Sequence, residues 1–255
     1  MLKFCSLSSG SDGNCLFLTD GKTNILIDCG LSFTKTNNLL NLIGVNIYDI
    51  DAVLVTHEHT DHTSGLGVLY KKTKTPIYGL KETVAYVLYK YPYIDNIHIL
   101  SDSFKIGDMK ISHFATSHDV PSVGYRITDG NKTVCIATDL GVVTETVSEN
   151  TKDCDFAFIE SNHDPEMLMY GSYPYHLKKR ISSEKGHLSN KMCSQLVCKL
   201  AAQGTKEIML GHISKENNTH ELALTTSTSA LALIGQSANV YTAPNEKPSK
   251  IIDLY

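Results

Sequence analysis

The chain has 255 residues, of which 42% are hydrophobic and 20% charged, and its formal net charge is −4. This composition excludes a disordered or fibrous protein, and the net negative charge means that nucleic acid would have to be bound by a local basic patch or through metal ions. No apolar run approaches the roughly 18 residues of a membrane span, and the N-terminus lacks the apolar core of a signal peptide. We therefore expect one domain over residues 1–255, in the cytoplasm and without membrane contact.

Apolar runs of three to six residues bounded by turn formers predict short strands along the whole chain. Apolar residues at helical spacing predict three helices between them, the second with Ser189 as its N-cap. The predicted strands are 16–18, 25–27, 52–55, 110–114, 123–128, 133–138, 156–160, 207–210 and 239–242, and the predicted helices are 81–91, 190–203 and 219–234. Interleaved strands and helices without a linker indicate an α/β fold in layers.

The seven cysteines form no CxxC pair and lie mostly in apolar runs. Cysteines placed in this way pack as small hydrophobic side chains in a reducing compartment. We therefore expect free thiols and no disulfide framework.

The densest group of ionisable side chains is the run 56–62, Thr-His-Glu-His-Thr-Asp-His, directly after the apolar strand 52–55. Neutral imidazole and carboxylate are ligands of divalent first-row metals, and so dense a cluster is costly unless a metal neutralises it. In a loop, His57 and His59 can converge on one metal while Asp61 and His62 turn to a second about 3.5 Å away. A solvated polar turn is the alternative, and the density of the run favours the metal site.

Four more ligand-type residues follow other predicted strands, namely Asp28, His118, Asp139 and His212. Strand ends are where α/β folds place their functional groups. Each residue alone is explained as a turn former or as a hydrogen-bonded histidine. Together, and in this order, they predict that the strand ends complete one site with the run 56–62.

The ordered series from Asp28 to His212 resembles the five motifs of the metallo-β-lactamase superfamily. The resemblance implies a four-layer αβ/βα sandwich with two divalent metal ions at one edge, and the ligand types accept zinc, manganese or iron. It also implies that Asp28 orients the ligand loop without binding metal. The ligands implied for one metal are His57, His59 and His118, and those for the other are Asp61, His62 and His212, with Asp139 bridging the two.

Other stretches resemble the YycJ/WalJ branch of this superfamily, which is regarded as a group of DNA exonucleases. The stretches are 8–15, 27–30, 160–164, 186–190 and 211–218. The resemblance implies a metal-dependent phosphodiesterase whose substrate is nucleic acid, DNA in preference to RNA. Hydrolysis of a thioester, a lactone or a small cyclic phosphodiester is the alternative.

The chemistry of the residues predicts a mechanism for such a phosphodiesterase. A metal pair lowers the pKa of a bridging water and so generates hydroxide at neutral pH. The leaving oxygen needs a proton, and His187 is the predicted donor because imidazole titrates near neutrality and Glu160 can hold it charged. A capping or buried structural role is the alternative for His187. Asp61, as a ligand of the metal pair, is counted with His187 and Glu160 as catalytic.

Two regions are predicted to contact the substrate. Ser9 and Asn14 lie in a glycine-rich loop that forms either an anion-binding nest or an ordinary hairpin turn, and Asn217 either binds substrate or caps the following helix. The stretch 176–185 is the most basic in the chain and follows three tyrosines between 170 and 175. It fits phosphate and base contacts, but alone it is also typical of a solvated helix face.

Overall fold

Fourteen strands form two seven-stranded sheets in the computed structural model, which describes residues 1–255. Seven of the strands form the first sheet: β1 (Leu2–Ser8), β2 (Cys15–Thr19), β3 (Asn24–Ile27), β4 (Ala52–Leu54), β5 (Ile77–Gly79), β6 (Ile97–Ile99) and β14 (Ile252–Leu254). The other seven form the second sheet: β7 (Ser103–Ile106), β8 (Met109–Ala115), β9 (Val123–Thr128), β10 (Thr133–Ala137), β11 (Phe156–Glu160), β12 (Glu207–Gly211) and β13 (Asn239–Thr242).

The two sheets repeat one plan. The first has the order β14-β1-β2-β3-β4-β5-β6, and the second has the order β13-β12-β11-β10-β9-β8-β7. In each sheet one half is antiparallel, whereas the other half, β3 to β6 or β10 to β13, is parallel. The parallel halves matter for function because the carboxyl ends of their strands meet at one edge of each sheet.

Nine α-helices cover the outer faces of the sheets. They are α1 (Phe33–Leu42), α2 (Thr60–Thr63), α3 (Leu66–Thr73), α4 (Lys81–Lys90), α5 (Glu145–Thr151), α6 (Pro165–Tyr170), α7 (Tyr175–Ile181), α8 (Asn190–Ala202) and α9 (His220–Leu233), with a 3₁₀ turn at Ile47–Asp49. None of them combines the length and apolar character needed to cross a bilayer.

The core lies in three apolar layers, one between the sheets and one on each outer face. In β11, Phe156 and Phe158 point into the layer between the sheets, whereas Ala157 and Ile159 face the helices. Such alternation follows from the two-residue period of a strand. Because both faces are buried, these strands are apolar throughout, which is the pattern seen in the sequence.

The predicted four-layer αβ/βα sandwich is confirmed. The three predicted helices correspond to α4, α8 and α9, and the Ser189 hydroxyl accepts a hydrogen bond from the amide of Met192 as an N-cap. The nine predicted strands match within one or two residues. Among the elements that the sequence pattern does not predict are α1, α3 and the short strands β5, β6 and β7. All seven cysteines are free thiols, as expected.

Candidate metal centre

The run 56–62 follows the carboxyl end of β4 in the first sheet and ends in α2. Two other loops fix its backbone. The amide of Asn14 donates to the carbonyl of Asp61 over 2.7 Å, and Asn14 is held in turn because its own carbonyl accepts from the amide of Gly30 over 2.9 Å. A Cβ on Gly30 would lie only 1.6 Å from the Asp61 oxygen. Glycine is therefore required at position 30, because any side chain would displace the ligand loop.

The Asp28 carboxylate also holds the run 56–62 in place, through hydrogen bonds to its first and last residues. It accepts a hydrogen bond from the Thr56 amide over 2.8 Å and another from His62 Nδ1 over 2.7 Å. Both Asp28 and His62 are buried. Because the carboxylate can only accept, Nδ1 of His62 carries the proton and Nε2 is left for a metal. The role that the sequence predicts for Asp28 is to orient the ligand loop without binding metal.

Glu160 plays the corresponding part in the second sheet. Strand order β12-β11-β10 sets His212, Glu160 and Asp139 side by side, because all three follow or end parallel strands. Glu160 Oε1 lies 2.7 Å from His212 Nδ1 and 2.8 Å from His187 Nδ1. Its Oε2 accepts from the amides of Leu140 and Leu188. One fully buried carboxylate thus orients two imidazoles.

His118 comes from the loop after β8 and is oriented by the backbone. Its Nδ1 lies 3.2 Å from the carbonyl oxygen of Gly186, and its Nε2 lies 3.4 Å from His59 Nδ1. Asp119, the next residue, approaches Nε2 of both His118 and His59, at 3.2 and 3.4 Å. Asp119 is not among the site residues predicted from the sequence, although it directly follows the predicted ligand His118.

Three of the site residues have strained backbones. Asp28, Asp139 and His212 have φ angles of 64°, 55° and 53°, and they make up three of the five non-glycine residues with positive φ. This conformation is costly for residues with a side chain and concentrates at functional sites. Each residue turns sharply out of a parallel strand, which brings its side chain to the sheet edge.

The predicted ligand atoms form overlapping groups in which all atoms lie within 4.8 Å of one another. The groups are His57, His59 and His118; Asp61, His62 and His212; His57, His62 and Asp139; and Asp139, Glu160, His187 and His212. Asp139 groups with His57 and His62, one from each predicted ligand set, so it lies between the two sets.

Metal ions fit this set of donors. Three buried ligand atoms have no hydrogen-bond partner: His57 Nε2, His212 Nε2 and Asp139 Oδ2. Buried polar atoms are almost always hydrogen-bonded, so three orphans in one cluster require an explanation. Imidazole nitrogen and carboxylate oxygen are ligands of divalent first-row metals, and the proton-bearing nitrogens of His62 and His212 already point to acceptors.

The carboxylates of the cluster are ionised. Burial alone would raise the pKa of Asp61, but the adjacent His62 and His212 rings lower it well below its usual range. Burial would also raise the pKa of Glu160, whereas His187 and His212 lower it to about 2. These carboxylates are therefore in the ionised form, which is the form that binds a divalent cation.

These residues open into a cleft of about 230 Å³. His187 lines it together with the ligand-type residues His59, Asp61, Asp139 and His212. Two residues of the tyrosine-rich and basic stretch, Tyr173 and Arg180, also line the cleft. Arg180 Nε lies 3.7 Å from Asp119, and its side chain is 60% exposed, so most of the guanidinium is available to an anion.

The three predicted substrate contacts lie deeper than expected. Ser9 is 1% exposed and its hydroxyl accepts from the His212 amide over 2.7 Å. Asn14 Nδ2 lies 3.2 Å from Asp61 Oδ2 and 3.0 Å from His62 Nε2. Asn217 is 1% exposed and its side chain has no partner, while the cap of α9 is Thr219. Ser9 and Asn14 therefore support ligands rather than face the cleft, and the loop 8–14 is a hairpin turn.

Comparison with known proteins agrees with the geometry. Residues 23–213 match the model of the beta-lactamase superfamily domain. The exodeoxyribonuclease WalJ of Streptococcus pneumoniae is 38% identical over 238 residues, covering 90% of this chain and 88% of that protein. The exodeoxyribonuclease YycJ of Bacillus anthracis is 34% identical over 260 residues, with 98% of both chains covered.

The chain belongs to the YycJ/WalJ-like branch of the metallo-β-lactamase superfamily. A solved structure of the same fold is the metallo-beta-lactamase fold protein YhfI of Bacillus subtilis, with a TM-score of 0.76 and 18% identity over 97% of this chain and 98% of YhfI. The chain is thus an enzyme of a superfamily of metal-dependent hydrolases, as the sequence predicted.

Proposed function

We propose that this chain is a two-metal phosphodiesterase that removes nucleotides from the ends of DNA. The observation that carries the proposal is the position of Asp139 between two ligand groups, beside the pair formed by Glu160 and His187. The names of the WalJ and YycJ relatives support DNA as the substrate class.

We assign the two ions, which zinc, manganese or iron can supply, to the residues predicted from the sequence. His57, His59 and His118 would hold one ion, and Asp61, His62 and His212 would hold the other, with Asp139 available to both groups. Divalent ions held there would supply a water of lowered pKa and positive charge against the phosphate. Asp28 orients His62, and Glu160 orients His212. Each carboxylate does so by accepting a hydrogen bond from the Nδ1–H of the imidazole.

His187 supplies the proton to the leaving oxygen. Glu160 holds Nδ1 of this imidazole at 2.8 Å, so Nε2 is directed to another partner, and the ring lines the cleft. Glu160 also fixes the tautomer and the orientation of the ring that donates the proton. Asp61 acts as a ligand whose carboxylate is fixed by Asn14.

Arg180 lines the cleft, where it binds and orients the scissile phosphate. Its guanidinium is exposed there and is always charged, and its planar donors match phosphate oxygens. Asp119 keeps the guanidinium near His59 and His118, so a phosphate bound by Arg180 lies close to the metal ligands.

The experiment is digestion of end-labelled single- and double-stranded DNA and RNA by protein stripped with a chelator and then supplied with zinc, manganese or iron. We expect nucleotides to be released from DNA ends only after metal is restored, and we expect Asp61→Ala to abolish release while the circular dichroism spectrum is retained. The matched control is Asp49→Asn, an exposed carboxylate outside the site. Hydrolysis of an acyl thioester or lactone without cleavage of any phosphodiester would contradict the proposal.

A further inference from the structure

A second cavity, of about 350 Å³, lies on the other side of α7 from the metal cleft. We call it the α6–α7 cavity, because both helices line it. Its lining residues are His163, Pro165, Leu168, Met169, Tyr175, Lys178, Lys179 and Ser182. Nothing in the mechanism above uses these residues. The volume is within the range of cavities that hold small organic groups.

One buried imidazole in the wall of this cavity leaves a hydrogen-bonding atom unused. His163 is 3% exposed, and its Nδ1 has no hydrogen-bond partner. Burial lowers the pKa of His163 to about 4, so the imidazole is neutral at pH 7 and can both donate and accept. A neutral donor and acceptor within an apolar wall suits the edge of a planar heteroaromatic ring better than it suits an ion.

The helix α7 connects this cavity to the metal cleft. Leu177, Arg180 and Ile181 line the cleft, whereas Tyr175, Lys178 and Lys179 line the cavity, so the two faces of one helix serve the two sites. Helical spacing accounts for this division, because residues three and four apart share a face. A chain that leaves the cleft at Arg180 reaches the cavity after crossing a single helix.

The surface along this path is basic. Between residues 175 and 185 there are four Lys or Arg side chains and one acidic side chain, in a protein whose net charge is −4. Tyr175 is 80% exposed, and its ring borders the cavity beside Lys178 and Lys179. Exposed aromatic rings beside lysines are the usual means of binding single-stranded nucleic acid.

We propose that the α6–α7 cavity binds one base of a single-stranded segment of the DNA substrate, a few nucleotides from the scissile bond. The base stacks on Tyr175 and its edge meets His163, while Lys178 and Lys179 contact the flanking phosphates. The inference rests on the proposed nuclease function and adds to it a subsite for the bound strand.

Binding of fluorescent single-stranded oligonucleotides to the Asp61→Ala variant tests the phosphate contacts. Adding Lys178→Ala and Lys179→Ala should lower the slope of log Kd against log salt by about 1.4, since each phosphate contact contributes about 0.7. The matched control removes Lys105 and Lys110, two exposed lysines that face each other across β7 and β8. The control should leave the slope and Kd unchanged.

An abasic nucleotide moved stepwise along the oligonucleotide tests the base contact. At one position it should weaken binding about 5- to 100-fold, the range expected for one stacked base. In the Tyr175→Ala background the same abasic step should have little further effect. Tyr175 is exposed, so its replacement leaves the core intact.

The inference is overturned if DNA is bound and digested but the lysine pair, Tyr175 and every abasic position leave binding unchanged. The proposed nuclease function would then still stand. If the metal-loaded protein neither binds nor digests DNA, the proposed function itself fails, and the inference fails with it.

Discussion

The carboxylate of Glu160 lies 2.8 Å from Nδ1 of His187, and Glu160 has no exposed surface. The same carboxylate oxygen lies 2.7 Å from His212 Nδ1. A single acidic side chain therefore connects a predicted metal ligand to the predicted proton donor. Both imidazoles are therefore oriented by one acceptor.

Replacement of His187 by alanine should separate proton donation from metal binding. We expect turnover on a DNA or dialkyl phosphate substrate to fall by about 10²- to 10⁴-fold, because the leaving oxygen then lacks its acid. The loss should be far smaller on bis-p-nitrophenyl phosphate, whose leaving group needs little protonation. Metal content, measured by atomic emission, should not change. The control is His220→Ala, an exposed histidine at the start of α9. Equal losses on both substrates would indicate phosphate binding instead.

The Asp28→Asn substitution should weaken metal binding without touching a ligand. The amide nitrogen would face the Nδ1 proton of His62, two donors would clash, and the imidazole would lose its fixed tautomer. We expect metal affinity to fall about 10- to 100-fold in competition with a chelator. Asp49→Asn is again the matched control. An unchanged affinity would mean that Asp28 has only a structural role.

Gly30→Ala should damage the ligand loop through a steric clash alone. The new methyl group would lie 1.6 Å from the Asp61 carbonyl, so the loop must move. We expect a loss of about 1–3 kcal/mol in the free energy of unfolding and a loss of bound metal. Gly44→Ala is the comparison, since Gly44 has a φ of 75° but open space around it. It should cost about 1 kcal/mol and retain metal. Equal metal content in both variants would contradict the steric account.

Much of the site could be predicted because its ligands are local in sequence or follow strands. Strand ends converge in any α/β fold, so Asp139 and His212 were identifiable without coordinates. The contact of Asn14 with Asp61 joins residues 47 positions apart, and it depends on how two loops pack. No local pattern indicates such a contact, so Asn14 and Ser9 were predicted to bind substrate instead.

Some elements were not predictable because tertiary packing, rather than propensity, creates them. The helix α1 is rich in asparagine and threonine, which favour turns and caps, and it is held by the packing of Leu39 and Leu40. The strand β6 has three residues, all at least partly exposed, and it exists because its backbone pairs with β5. Neither has a periodic pattern long enough to be detected.

The cysteines provide a test of how the core is packed. Cys198 is the one cysteine that is not buried, and burial raises the pKa of Cys29 and Cys193 to about 12. Because the thiolate is the reactive form, we expect one thiol per chain to react quickly with iodoacetamide in the native protein and all seven in denaturant. Cys198→Ser should remove the fast phase. Rapid reaction of several native thiols would contradict the packing described above.

The central claim is a pair of metal ions held at the joint edge of the two sheets. Crystals of the protein grown with a saturating divalent metal, measured at its absorption edge, test it most directly. We predict two anomalous peaks less than about 4 Å apart, with Asp139 touching both, and with His118 at one and His212 at the other within about 2.0–2.2 Å. A single peak, or His118 and His212 both more than about 3 Å from any metal, would contradict the account.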